Sequence, residues 1–175
     1  MREPAADARE RPAQSPESTL DSYARAFPDA DGEALATHLA LASASSLLAR
    51  GIEERIQALG YDLSRPRYTI VRMLYLSPDR AMAQGDIAQA LGVSGSNVTQ
   101  LIDALVSDGW VERMGSPADR RVTYASLTET GTQRAAVLVP AIVEHMVDSC
   151  AALSHEEQRE LRRLIDKVRE SAEAT

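Results

Sequence analysis

The amino-acid sequence predicts a mainly α-helical fold that carries one small β-hairpin. Apolar residues recur at helical spacing over most of the chain, in segments separated by Gly and Pro. Two short segments rich in β-branched and aromatic residues, WVERM and VTYASL, flank turn residues and are typical of paired strands. The composition, with 44% hydrophobic and 26% charged residues over 175 positions, is that of a globular protein with a buried core.

The N-terminal part is predicted to be a tail followed by two helices. Residues 1–18 are rich in Pro, Ala, Ser, Glu and Arg and have little to bury, which predicts a disordered tail. Apolar residues at helical spacing predict an accessory helix over Thr19–Phe27. A longer helical pattern runs from Glu33 to about Leu59 and stops at Gly60. Residues 19–61 therefore form the first predicted region.

The middle region, residues 62–128, shows the spacing of two short helices joined by a tight turn. In AQGDIAQALGVSGSNVTQLIDALVSDG, Gly92 lies at the turn, where its missing Cβ permits a left-handed conformation. Small or apolar residues occupy the positions that would pack the two helices together: Ile87, Ala88, Val93, Val98 and Leu101. This is the pattern of a helix-turn-helix. With a preceding helix capped by Ser64 and the hairpin that follows, it predicts a winged helix-turn-helix.

The C-terminal region, residues 129–175, returns to helical patterns. Thr128 is the predicted N-cap of a helix whose apolar stripe extends to Cys150. Ser154 and Glu157 have the spacing of a capping box, which predicts the start of a last helix.

The terminal helices carry more apolar surface than a lone winged module needs. Large exposed apolar surfaces normally mark an interface between proteins. The sequence therefore predicts a helical dimerisation region and a two-fold homodimer, built from roughly residues 33–58 and 130–170.

The segment DIAQALGVSGSNVTQLIDALVSDGWVERMGSPADRRVTYASLTETG resembles the winged helix-turn-helix of the MarR family of bacterial transcription regulators. The matching marks are GWVER after the second helix, Asp119 and Arg121 in the wing, and LTETG before the next helix. The resemblance covers about residues 34–168. It implies a homodimer that binds a pseudopalindromic double-stranded DNA operator, usually represses a nearby gene, and is often released by a small, frequently phenolic, molecule.

Polar side chains at the start of the second helix are candidates for reading DNA bases. A helix that begins at Ser94 would present its first turns to the major groove, and Asn or Gln bonds adenine in a bidentate manner. The candidates are Ser94, Ser96, Asn97, Thr99 and Gln100. The alternative is an ordinary solvated helix surface.

Arginines beside this helix are candidates for contacts with the DNA backbone and the minor groove. Arg120 and Arg121 at the hairpin tip are predicted to approach the minor groove, with Asp119 orienting one guanidinium by a charge-assisted hydrogen bond. The resemblance implies that Arg121 is the groove residue. Arg65 and Arg67 are predicted phosphate contacts, with a plain surface role as the alternative.

The charge distribution leaves room for a DNA contact despite an acidic total. The net charge is −7, which by itself argues against a nucleic-acid partner. Between Asp62 and Thr130, however, seven basic residues stand against eight acidic ones, which leaves only −1 there. A winged-helix protein-interaction module without DNA contact is the alternative function that the acidic total would suit.

The resemblance also implies an effector pocket between the dimerisation helices and the winged module. Tyr23, His38, Tyr68 and Arg72 are the candidates for binding a small anionic aromatic compound, through aromatic stacking and one cation. The alternative is that Tyr68 is a core residue and Arg72 an ordinary surface residue. The sequence shows no catalytic set, metal-ligand spacing or cofactor motif, so we expect a protein that is not an enzyme. With no apolar run near the roughly 18 residues of a membrane span, and no signal peptide, we expect a cytoplasmic protein without a membrane partner.

Overall fold

The structure is a computed structural model that describes residues 16–115 and 122–174. These residues form seven helices and three strands. The elements, in chain order, are α1 (Pro16–Ala26), α2 (Gly32–Ala58), α3 (Arg65–Leu76), β1 (Ala81–Ala83), α4 (Gln84–Leu91), α5 (Gly95–Ser107), β2 (Val111–Gly115), β3 (Thr123–Leu127), α6 (Glu129–Asp148) and α7 (His155–Glu173). The predicted fold class, mainly helical with a small β-sheet wing, is confirmed. The chain forms two compact units that divide between Leu48 and Ala49.

The first unit contains α1 and the beginning of α2. The rings of Tyr23 and Phe27 stack with their centroids 6.2 Å apart. The Asp31 carboxylate accepts a hydrogen bond from the Ala34 backbone N–H at 3.0 Å, which satisfies one of the free amides at the start of α2. Because α1 begins at Pro16, the predicted tail overlaps the accessory helix by three residues. The rest of that tail lies outside the described residues.

The second unit is organised around one hydrophobic core. The largest fully buried side chains come from the end of α2, from the next four helices and from β2: Ile56, Ile70, Val71, Leu74, Ile87, Val98, Ile102, Leu105, Val111, Leu138 and Ile142. Each such side chain contributes about 1.5–3 kcal/mol by leaving water. In α5, the buried residues follow at intervals of four and three, so one face of that helix is held in the core.

The sheet has three antiparallel strands in the order β1-β3-β2. Val111 pairs with Leu127 and Met114 with Tyr124 in the predicted hairpin. β1 was not predicted, because Ala-Met-Ala has neither the length nor the β-branched residues of a strand pattern. It forms because the free edge of β3 supplies backbone partners, as in the pair of Ala81 with Ser126.

Two residues that were predicted to pack are exposed. Val93 was predicted to lie beneath the helix-turn-helix, but it is 37% exposed and lines an open groove with Pro66 and Leu101. Cys150 was placed on the apolar stripe of α6, but that helix ends at Asp148, so the thiol lies in the following turn and is exposed. No helix among the described residues is long and apolar enough to span a membrane.

Candidate nucleic-acid interface

The turn between α4 and α5 depends on a left-handed glycine. Gly92 has φ 64° and ψ 32°, a conformation that side chains with a Cβ rarely adopt. The Val93 N–H reaches back to the Ala88 carbonyl at 3.2 Å, which closes the end of α4. Only Val93 and the N-cap Ser94 then separate Gly92 from α5. The connection between α4 and α5 is therefore short, and the start of α5 lies at the surface.

The predicted base-reading residues are all exposed on the first turns of α5. Val98 is fully buried among them and holds this end of the helix against the core. The exposed residues are Ser94, Ser96, Asn97, Thr99 and Gln100. A helix that packs against the core on one face and is polar and exposed on the other can enter a major groove and contact base edges.

The hydroxyls in this set also have local partners. The Ser94 hydroxyl accepts the Asn97 N–H at 3.3 Å and lies 2.9 Å from the Ser96 hydroxyl. The Thr99 hydroxyl donates to the Gly95 carbonyl at 2.9 Å, which leaves its oxygen lone pairs and its methyl group for another partner. Asn97 and Gln100 instead present amides, which have both donors and acceptors.

The two arginines at the start of α3 have different environments. Arg65 is exposed. Arg67 is only 18% exposed, and its guanidinium donates to the Asp108 carboxylate at 2.7 Å and to the Asp62 carbonyl at 3.1 Å. Arg67 thus joins the start of α3 to the C-cap of α5. This placement favours a structural role for Arg67 over the predicted phosphate contact.

The strands of the wing are described, but its tip is not. Asp119, Arg120 and Arg121 lie outside the described residues, so their roles remain predictions. At the root of the wing, Arg113 of β2 contacts α5 at two places. Its guanidinium forms an ion pair with Asp103 and donates to the Thr99 carbonyl at 3.2 Å. This pair was not predicted from the sequence, although the Arg of GWVER and an acidic residue one turn after Thr99 were the available signal.

A compact set of contacts joins the winged module to α6. The Thr128 hydroxyl donates to the Gly109 carbonyl and accepts the Gly131 N–H, both at 2.8 Å. The Thr128 N–H also donates to the Trp110 carbonyl at 3.1 Å. Gly131 lies so close to that carbonyl that an added Cβ would be 1.9 Å from the oxygen. In the LTETG segment, Thr128 and Gly131 are therefore both required by the structure.

The predicted effector residues are divided between the two units. Tyr23 and His38 belong to the first unit and are exposed, whereas Tyr68 and Arg72 belong to the second. Tyr68 is 3% exposed, and its hydroxyl forms no hydrogen bond within the described part of the chain. Burial raises the pKa of the Tyr68 phenol above its usual value, and the nearby Arg72 guanidinium partly opposes that change. Tyr68 thus combines an unpartnered polar group with a neighbouring cation.

Comparisons with known proteins agree with this geometry. A family model described as MarR family matches residues 61–122. The transcriptional regulator PecS of Dickeya dadantii (strain 3937) is 30% identical over 142 residues, which cover 81% of this chain and 84% of PecS.

Solved structures show the same fold. Sco3205, a MarR family transcriptional regulator from Streptomyces coelicolor solved in complex with DNA, has a TM-score of 0.74 at 22% identity, covering 82% of this chain and 93% of Sco3205. AbsC, a MarR family regulator from the same organism, has a TM-score of 0.66 at 27% identity, covering 84% of this chain and 97% of AbsC. On the sequence matches and the shared winged helix-turn-helix, this protein belongs to the MarR family of transcriptional regulators.

Proposed function

We propose that this regulator binds a pseudopalindromic DNA operator as a homodimer, represses transcription from it, and is released by a small anionic aromatic molecule. The observation that carries the DNA-binding part is the polar start of α5, exposed beyond a left-handed Gly92 and held by the buried Val98. A repressor acts by occupying its operator, so this function requires no catalytic residues.

The proposed DNA contacts come from three places on the winged module. Asn97 and Gln100 read base edges in the major groove, assisted by the hydroxyls of the same helix start. Arg65, which is exposed at the start of α3, contacts a phosphate. Arg120 and Arg121, with Asp119 as the orienting carboxylate, approach the adjacent minor groove.

The exposed apolar surface of α7 supports the homodimer. This helix has no buried residue. Four large apolar side chains between 41% and 46% exposed follow one another at intervals of three, one and three residues: Leu161, Leu164, Ile165 and Val168. That spacing forms one stripe along the helix, which a second copy would cover. In such a dimer the two α5 helices must lie roughly 34–36 Å apart to enter successive major grooves.

Asn97→Ala is expected to relax the choice of base at one central position of each half-site. If Asn97 bonds its base in a bidentate manner, discrimination at that position falls by about 1–3 kcal/mol, while affinity for unrelated DNA changes little. The measurement is selection of bound duplexes from a random pool with the wild-type protein, followed by affinities of both proteins for the selected operator and its single-base variants. A variant that keeps the full preference at every position excludes Asn97 as a base-reading residue.

The same selection separates DNA binding from a protein-interaction module. Direct binding falls steeply with rising salt because cations are released from the phosphates. A wild-type protein with no affinity above background for any selected duplex at low salt contradicts the proposal and favours the interaction module.

Arg72→Ala is expected to remove the response to salicylate while leaving ligand-free operator binding nearly intact. A compound with a carboxylate would be recognised by Arg72 and its ring by Tyr68, and it weakens DNA binding only if it prefers the non-binding geometry. The measurement is operator affinity with and without salicylate. Arg162→Ala, which removes an equal charge from exposed α7, is the matched control. An unchanged response in Arg72→Ala excludes this position for the pocket.

A further inference from the structure

Arg113 connects the root of the wing to the recognition helix α5. It lies on β2 two residues after the buried Val111, so both side chains face the same side of the sheet, toward the core. The guanidinium contacts the Asp103 carboxylate and also donates to the Thr99 carbonyl. One side chain therefore holds two successive turns of α5.

Asp103 lies where a bare negative charge would oppose DNA binding. It follows Thr99 by four residues, so the two side chains are neighbours on one face of α5. Thr99 is one of the proposed contact residues, and the Asp103 side chain is 58% exposed. Phosphates that approach this face would be repelled by the carboxylate unless a cation neutralises it. Arg113 supplies that cation and is itself 34% exposed.

We propose that Asp103 and Arg113 are a positioning pair that sets the orientation of α5 relative to the wing and thereby determines sequence selectivity. The proposal rests on the proposed contacts of α5 with DNA. It separates two effects of the pair. The link between β2 and α5 controls the ratio of operator affinity to unrelated-duplex affinity, whereas the balance of the two charges controls affinity for any DNA.

Three variants distinguish the link from the charges. Asp103→Ala removes one negative charge and frees Arg113, so affinity for an unrelated duplex rises and its salt slope steepens by about 1. Arg113→Met keeps the apolar stem but exposes Asp103, so affinity for an unrelated duplex falls. The double variant restores the net charge without the link. It should bind an unrelated duplex as the wild type does, yet all three variants should lose about tenfold in the ratio of the two affinities.

Arg113→Lys and Glu54→Ala complete the experiment. Lysine keeps the charge but lacks the planar fork that reaches two acceptors, so selectivity should fall with little change in unrelated-duplex affinity. Glu54→Ala removes an equal negative charge from an exposed ion pair with Arg50 on α2 and should leave selectivity unchanged. Affinities are measured by fluorescence anisotropy at several salt concentrations, with thermal melting to confirm folding.

The outcomes separate this proposal from the one on which it rests. A wild-type protein that prefers its operator, together with variants that keep that preference, overturns the positioning pair alone. Equal losses of the affinity ratio in Asp103→Ala and Glu54→Ala also overturn it, because selectivity would then depend only on the total charge of the protein. A wild-type protein without any preference overturns both proposals.

Discussion

Gly131→Ala is expected to lower the free energy of unfolding by about 3 kcal/mol or more, because the new methyl group has no space. The Cβ would lie 1.9 Å from the Trp110 carbonyl oxygen and 2.8 Å from its carbon. Both are backbone atoms, so no flexible side chain can move aside. The Trp110 carbonyl is also held by the Thr128 N–H at 3.1 Å, so relief of the clash separates α6 from the winged module.

The change would also disturb the start of α6. Thr128 caps that helix by accepting the Gly131 N–H, and loss of such a cap destabilises a protein by about 0.5–2 kcal/mol. Equilibrium urea denaturation measures the total effect as a lower midpoint at an unchanged slope.

Gly85→Ala is the matched control for this prediction. Gly85 also lies in the first turn of a helix, α4, but an added Cβ there meets no described atom within 4 Å. Alanine should therefore be neutral or stabilise by about 0.4–1 kcal/mol through the unfolded state. Equal stabilities of the two variants would show that the close contact at Gly131 does not exist in solution.

If the protein forms the proposed homodimer, Ile165→Glu is expected to convert it to a monomer and to weaken operator binding by about 100-fold or more. Ile165 lies on the exposed apolar stripe of α7, where the proposed partner would bury it. A buried carboxylate without a partner strongly opposes association. A monomer engages only one half-site, so it loses the gain that comes from linking two binding events.

Light scattering and operator titration test this prediction together. Arg159→Ala is the control, because it changes the net charge by the same amount and lies on the opposite face of α7. It should remain dimeric and bind the operator. A wild-type protein that is monomeric at micromolar concentration would contradict the proposed homodimer. An Ile165→Glu variant that stays dimeric would instead place the dimer interface elsewhere.

The sequence by itself determined the helices, the hairpin strands and the surface of α5. Periodic apolar residues, caps and the turn glycine are local signals, and local signals are sufficient for those features. The exposed positions of Asn97 and Gln100 are consistent with the predicted inward positions of Val98 and Leu101, which are respectively fully buried and partly buried against the core. The family was evident for a related reason, since its marks occupy one continuous segment.

Only the tertiary structure decided which charged and small residues hold the module together. Arg67 was selected as a surface cation, but its partner Asp108 lies 41 residues away. Arg113 of β2 forms an ion pair with Asp103 of α5, and β1 forms because the edge of β3 supplies its backbone partners. These pairings join different helices and strands, and their energies depend on distances set by packing. The residue pattern within one element therefore does not predict which element it will pair with.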